Sequence, residues 1–317
     1  MLGKTIRIGT RDSQLAVWQA DLVKNLLLRE GHAAELVLIK SEGDIDLKTP
    51  LYAMGVQGVF TRSLDIALLN NHIDVAVHSM KDVPVQLPQG IKKAAILKRA
   101  SYKDIFVANN KCLTRDKVFN DETLHATLQD AAVTIATSSI RRRAQWLHRY
   151  PHHQIENLRG NVNTRLQKVA ESCWAGAVFA AAGLERIGAK PVESFELDWM
   201  LPAPAQGAIM VVAREEDNNS LSACEKLNHL PTDMAAQIER DFLSGLMGGC
   251  ATPISALAEV RDNSISFAGS VVAVDGSQKI EVGGSFPIAE WPQIGTLMAA
   301  EIISKGGKAL IQKMQNA

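Results

Sequence analysis

A lysine and an aspartate stand side by side at Lys81 and Asp82, just before Val83-Pro84. Asp74 to Val77, built on Val75-Ala76-Val77, predicts a short buried strand, because β-branched residues recur there without helical period. His78 and Ser79 bring polar groups to its end. Proline lacks an N–H and restricts the residue before it, so regular structure stops at Val83-Pro84. Lys81 and Asp82 are therefore expected at a rigid corner past the carboxyl end of a strand, where open α/β sheets bind ligands. A carboxylate beside an ammonium there can move protons or stabilise a developing cation. The competing reading is a turn aspartate bonded to its own backbone.

Arginines supply the second chemical signal. Ile6-Arg7-Ile8-Gly9 reads as a strand, Thr10-Arg11-Asp12-Ser13 as its exit, and Leu15, Trp18, Leu22 and Leu26 as the stripe of a helix. Asp12 or Ser13 can cap that helix, and the N–H groups at its start, beside Arg11, can hold an anion. The pattern recurs. Val133-Thr134-Ile135-Ala136 is a strand, Thr137-Ser138-Ser139 opens a helix bearing Arg141, Arg142 and Arg143, and Ile140, Ala144 and Leu147 form its stripe. His153 to Leu158 is a strand ending in Arg159-Gly160, and Asn161 or Asn163 starts a helix with Arg165 in its first turn. Neighbouring residues differ by about 100° around a helix, so at most two of the three adjacent arginines face one ligand. Cations in a first turn oppose the helix dipole, and an anion would offset that cost. A solvated helix face is the alternative for either cluster.

These residues need a scaffold. The 317 residues are enough for two or three domains. Hydrophobic residues make up 46%, and 34 basic side chains balance 34 acidic ones, so the totals ask for neither nucleic acid nor a membrane surface. The start carries no apolar signal segment, and no apolar run approaches a membrane span, so a cytoplasmic protein is expected. Alternating strands and helices predict a mainly parallel sheet over 1–101, to which 206–217 returns, and a second αβ domain over 104–203. Lys98 to Lys103 and the Pro/Gly-rich Leu201 to Gly207 are the crossings, giving a hinge with a cleft. Gly43 to Gly58 reads as a long loop. Composition shifts after Asn219. A helix with Ala235, Ile238, Phe242 and Leu246 inward ends at Gly248-Gly249, and three antiparallel strands and a last helix complete a small α+β domain over 220–317.

The four cysteines, at 112, 173, 224 and 250, have no zinc spacing, and no metal is expected. Cys250 follows two glycines, which let something large approach closely. A thioether-linked group is one explanation, and an ordinary core thiol is the other.

Taken together, Arg7-Ile8-Gly9-Thr10-Arg11-Asp12-Ser13, Val77 to Pro84, Thr137 to Arg142, Leu158-Arg159-Gly160-Asn161-Val162, Leu201 to Gly207 and Gly248-Gly249-Cys250 resemble the porphobilinogen deaminase (hydroxymethylbilane synthase) family, in order and over nearly the whole chain. The resemblance implies two domains like the halves of a type II solute-binding protein and a third domain that carries the cofactor loop. It implies condensation of four porphobilinogen units, with loss of ammonia, into a linear tetrapyrrole. It implies a dipyrromethane cofactor held by a thioether to Cys250, and a monomer whose partners are porphobilinogen and the growing oligopyrrole. Asp82 would stabilise the cation left by ammonia loss. Arg11, Arg141, Arg142, Arg159, Arg165 and Arg186 would grip acetate and propionate side chains through two-pronged contacts, and Ser13, Lys81, Thr137, Ser138 and Ser139 would add hydrogen bonds.

The chain departs from the family pattern at Ala53, at Gln57 in Gly55-Val56-Gln57-Gly58, at Arg62-Ser63 and at Ala205. The missing loop lysines bear on affinity for late intermediates. Two other functions remain in view: a solute- or anion-binding module, extending to a partly impaired relative of the enzymes, and a thiol enzyme using Cys250, for which no Cys–His pairing is visible.

Overall fold

The computed structural model describes residues 4–40, 61–109, 111, 123, 125, 128, 133–247 and 252–315. In chain order it runs β1 (Ile6–Thr10), α1 (Gln14–Arg29), β2 (Ala34–Leu38), α2 (Arg62–Leu69), β3 (Val75–Ser79) and β4 (Ile91–Ile96). Next come β5 (Asp104–Ala108), β6 (Thr134–Ala136), α3 (Ile140–Arg149), β7 (Gln154–Glu156), α4 (Val162–Glu171), β8 (Gly176–Ala180), α5 (Ala181–Arg186) and β9 (Ser194–Glu196). The chain continues through β10 (Ile209–Arg214), α6 (Asn218–Glu225), α7 (Leu230–Gly245), β11 (Ile254–Arg261), β12 (Ser264–Val272), β13 (Lys279–Pro287), α8 (Trp291–Ser304) and α9 (Gly307–Gln315).

The described residues fall into two units, with boundaries at 100/101, 206/207 and 234/235. The first holds a five-stranded sheet in the order β2-β1-β3-β10-β4. β1 runs parallel to β2 and β3, while β10 is antiparallel to β3 and β4. The expected mainly parallel sheet is thus a mixed one, because the strand after the second crossing inserts between β3 and β4. The core on the α1 side joins Ile8, Val75, Val77 and Val211 to Ala20, Val23 and Leu27. α1 buries Ala16, Gln19, Ala20, Val23 and Leu27, whereas Trp18 is 38% exposed. The expected stripe through Leu15, Trp18, Leu22 and Leu26 was therefore rotated by one residue, about 100°. On the other face Gly9 lets Ile73 approach: a Cβ there would overlap Ile73 Cδ1.

The second unit repeats the plan as β7-β6-β8-β5-β9, with β5 the antiparallel strand in fourth place. The same unit contains the three-stranded antiparallel sheet β11-β12-β13. Phe242 of α7 meets Phe267 of β12 edge-on at 5.2 Å. The turn at Gly276 lies against α3, where His148 Nδ1 is 2.7 Å from the Gly276 carbonyl oxygen. Ala205, in the second crossing, takes a left-handed φ of 61°. Its N–H donates to Glu239 Oε2 at 2.6 Å, and the Ala258 N–H donates to Oε1 at 2.8 Å. Glu239 is wholly buried, so one α7 carboxylate ties the crossing to the third sheet. Among the described residues no helix is long and apolar enough to cross a membrane.

One charge cluster clamps the first sheet. Asp74 lies just before β3 and accepts Arg7 Nη2 at 2.8 Å, Arg7 Nε at 2.9 Å, Lys4 Nζ at 3.1 Å and Arg214 Nη2 at 3.2 Å. Burial works against its charge, but the bonds from Arg7 and Lys4 outweigh that and hold the carboxyl well below the usual range. A depressed folded pKa contributes stability that is complete above the unfolded value, about 3.9, and is lost as pH falls toward the folded one. Asp74→Asn is expected to cost about 2–3 kcal/mol at pH 7 by urea unfolding and to flatten the loss of stability below pH of about 4. An unchanged midpoint would exclude this clamp.

Candidate functional site

In the first unit, β3 ends at Ser79 and the chain enters a single 3₁₀ turn over Met80–Asp82. Met80 is buried, its N–H donates to the Ala208 carbonyl at 3.0 Å, and the Val83 N–H closes the turn on Met80 at 3.1 Å. Lys81 and Asp82, half-buried, project from this corner. Ser13 caps α1 by accepting the Ala16 N–H, so Arg11 sits between the end of β1 and a helix N-terminus. A small pocket of about 30 Å³ is lined by Arg11, Gln19, Thr61, His78, Ser79 and Asp82, among others. That volume holds about one water.

The sequence reading assigned no role to four of these residues, Gln19, Thr61, His78 and Ser79. Gln19 is buried on the core face of α1, where its amide donates to Ser79 Oγ at 2.9 Å. Thr61 immediately precedes α2 and is buried. His78 is 7% exposed, and its Nε2 is buried without a hydrogen-bond partner. Burial, and then the charge of Arg11, lower its pKa to about 4, so it is a neutral imidazole at pH 7. A glutamine inside an apolar helix stripe was the available signal for Gln19. For His78 the strand alternation gave none.

In the second unit, Ser139 caps α3 by accepting the Arg142 N–H, and Thr137 Oγ1 accepts the Ser139 N–H at 3.2 Å. Ser138 donates to Asn157 Oδ1 at 2.6 Å. The two arginines of the first turn do have an anion, and it is internal. Asp104, the first residue of β5, accepts Arg142 Nε at 3.0 Å and Nη2 at 2.7 Å on Oδ1, and lies 2.7 Å from Arg141 Nη2 through Oδ2. Arg142 Nη1 donates to the Val178 carbonyl at 2.9 Å, and Arg141 Nη1 to that of Leu201 at 2.7 Å. Arg143 points to solvent. Arg159 is buried in the segment before α4, and Arg165, in the first turn of α4, donates through Nε to the Gly160 carbonyl at 2.7 Å. Arg186 closes α5, and burial lowers its pKa to about 10, still charged at neutral pH.

Cys250 and its two glycines, and the loop positions Ala53 and Gln57, lie outside the described residues. The donor set that is described suits a dipyrromethane. The first unit offers a guanidinium, hydroxyls and a carboxylate able to accept pyrrole N–H groups, and His78, whose Nε2 is buried without a partner, lines the same pocket. Burial and internal partners set Arg142 apart from Arg165. Arg142→Ala would leave Asp104 and Arg141 poorly matched in the interior and is expected to cost about 3–5 kcal/mol in chemical denaturation. Arg165→Ala is expected to cost under about 1 kcal/mol; equal losses would refute the distinction.

Comparison with known proteins supplies the lineage. The family model "Porphobilinogen deaminase, dipyromethane cofactor binding domain" matches residues 6–222, and "Porphobilinogen deaminase, C-terminal domain" matches residues 234–304. A porphobilinogen deaminase of Acidithiobacillus ferrooxidans is 37% identical over 99% of this chain and 99% of its own length. One from Trichlorobacter lovleyi is 38% identical over 98% and 97%. Among solved structures, an ancestral cationic amino acid solute binding protein overlaps 70% of this chain and 87% of its own, at 16% identity and a TM-score of 0.43. With both family domains matched in order and relatives aligned end to end, the chain belongs to the porphobilinogen deaminase family of enzymes.

Proposed function

We propose that this protein is a transferase of tetrapyrrole biosynthesis, a hydroxymethylbilane synthase. It joins four porphobilinogen units head to tail, releases one ammonia per unit, and builds the linear tetrapyrrole on a dipyrromethane attached through Cys250. The observation that carries this reading is the corner at Lys81-Asp82, which sets a carboxylate at the rim of a pocket that also holds Arg11 and a neutral His78. At that corner the Val83 N–H closes the turn on the Met80 carbonyl.

Each porphobilinogen brings an acetate, a propionate and a pyrrole N–H. Ammonia loss leaves positive charge spread over the pyrrole ring. Asp82, accepting the ring N–H, stabilises that charge most when it is greatest, which is the condition for lowering the barrier. The same carboxylate can take up the proton released when the new carbon–carbon bond restores the ring. Arg11 meets a side-chain carboxylate, and Ser13, Ser79 and Lys81 stand within the same strand-end cluster to orient it. The dipyrromethane, when bound, supplies the pyrrole carbon to which the first unit is joined. In the second unit Thr137, Ser138, Ser139, Arg141, Arg159, Arg165 and Arg186 have the chemistry to hold further carboxylates. We place the enzyme in the cytoplasm as a monomer, in keeping with a near-balanced charge and no membrane-spanning helix among the described residues.

Incubation with porphobilinogen is expected to release ammonia and a linear tetrapyrrole. The intact mass of the purified protein should exceed its sequence mass by one dipyrromethane, and Cys250→Ser should lack that excess. A protein at its bare sequence mass that leaves porphobilinogen unchanged would refute the assignment.

A further inference from the structure

Asp104 and its partners form a buried charged cluster in the second unit. Asp104 is fully buried, and Arg141 and Arg142 are 4% and 6% exposed. Gln206, also fully buried, donates through Nε2 to the same Oδ1 at 2.9 Å and to the Tyr102 carbonyl at 2.8 Å. One carboxylate thus serves two guanidiniums and an amide from the second crossing.

The two guanidiniums are not equivalent. All three nitrogens of Arg142 donate within the protein: Nε and Nη2 to Asp104 and Nη1 to Val178. The Nε–Nη2 edge of Arg142, the one that would fork onto an incoming carboxylate, is already taken by Asp104. Arg141 spends Nη1 on Leu201 and Nη2 on Asp104, and its Nε is buried without a partner. Two cations share one anion, so among these three groups one positive charge is uncompensated, and of the two guanidiniums it is Arg141 that has a nitrogen with no partner. A buried, unmatched donor on a buried cation is costly unless something anionic completes it.

We infer that Asp104 is a positioning residue: it locks Arg142 into the fold and holds one edge of Arg141 so that the Arg141 Nε edge meets a carboxylate of the pyrrole substrate. Arg142 then acts through Asp104, not by touching substrate. This rests on the proposed function, in that the anion is an acetate or propionate of porphobilinogen or its oligomers. Gln206 extends the arrangement, since the carboxylate that aims Arg141 is also fastened to the chain segment at the 206/207 boundary.

Asp104→Asn is selective by geometry. The amide oxygen can take over the bonds from Arg142 and Gln206, while the amide NH₂ would face Arg141 Nη2, donor against donor. The test is a double-mutant cycle on the holoenzyme, reading KM and kcat for porphobilinogen with D104N, R141K and the double variant. The expected results are a KM raised about tenfold or more in D104N, with the smaller change in kcat. In R141K KM should also rise, and in the double variant it should match R141K within about twofold. If R141K alone leaves KM within twofold of the parent, Arg141 does not bind substrate and the underlying reading of this arginine is wrong. If R141K raises KM but D104N multiplies it further in the R141K background, Asp104 is only structural and the inference is overturned. D104N alone with unchanged KM overturns it as well. Should D104N not fold, the same cycle with Asp104→Glu, which keeps the charge and displaces it by one methylene, is judged by the same criteria.

Discussion

The first unit depends on the pairing of β3 with β10. β3 is parallel to β1 on one side and antiparallel to β10 on the other, with Val77 opposite Val211 and Ser79 opposite Ile209. The strand therefore cannot slide without exposing Val75 and Val77. One residue beyond that register, the Ala208 carbonyl takes the Met80 N–H and starts the turn that carries Asp82. β10 arrives only after the chain has built the αβ part of the second unit. The corner that holds the proposed catalytic carboxylate is thus set by a long-range contact and not by the local Met80 to Pro84 segment alone. Second-unit strand β5 is the reciprocal device, inserted antiparallel between β8 and β9.

Two buried aspartates each gather more than one cation, and their surroundings differ. Asp74 gathers Arg7, Arg214 and Lys4 at the opposite end of β3 from Asp82, where its task is to join β1, β3 and β10. Lys4 is largely exposed and Arg7 partly so, and solvent tempers any excess charge there. Asp104 gathers two arginines in a dry interior at the start of β5, and the excess positive charge there has no solvent to disperse it. The same residue types produce a partly solvated clamp in one unit and a buried charge cluster in the other because burial of the cations differs.

Much of this was legible in the sequence. The β-branched run into Val83-Pro84 specified a strand cut short at a corner, and the two strand–loop–helix units with basic mouths are both present. Two local rules sufficed for them: alternation and the stop imposed by proline. The partners of the arginines were not legible. Opposition to the helix dipole hinted at an anion near Arg141 and Arg142, but not at Asp104, which lies in a different strand, brought alongside by antiparallel insertion that no local pattern announces. Gln19 and His78 escaped for a related reason. A polar side chain on a core-facing position reads as a flaw in a stripe until the fold shows that the stripe borders a pocket.

The claim on which the chemistry rests is that Asp82 acts on the reacting pyrrole and does not serve the fold. The most direct measurement is the turnover of Asp82→Asn holoenzyme, with its thermal midpoint and its dipyrromethane mass recorded on the same sample. The result expected is a kcat lower by about 100-fold or more at an unchanged midpoint and with the cofactor mass retained. Turnover within about twofold of the parent, with the cofactor in place, would contradict the role given to this carboxylate.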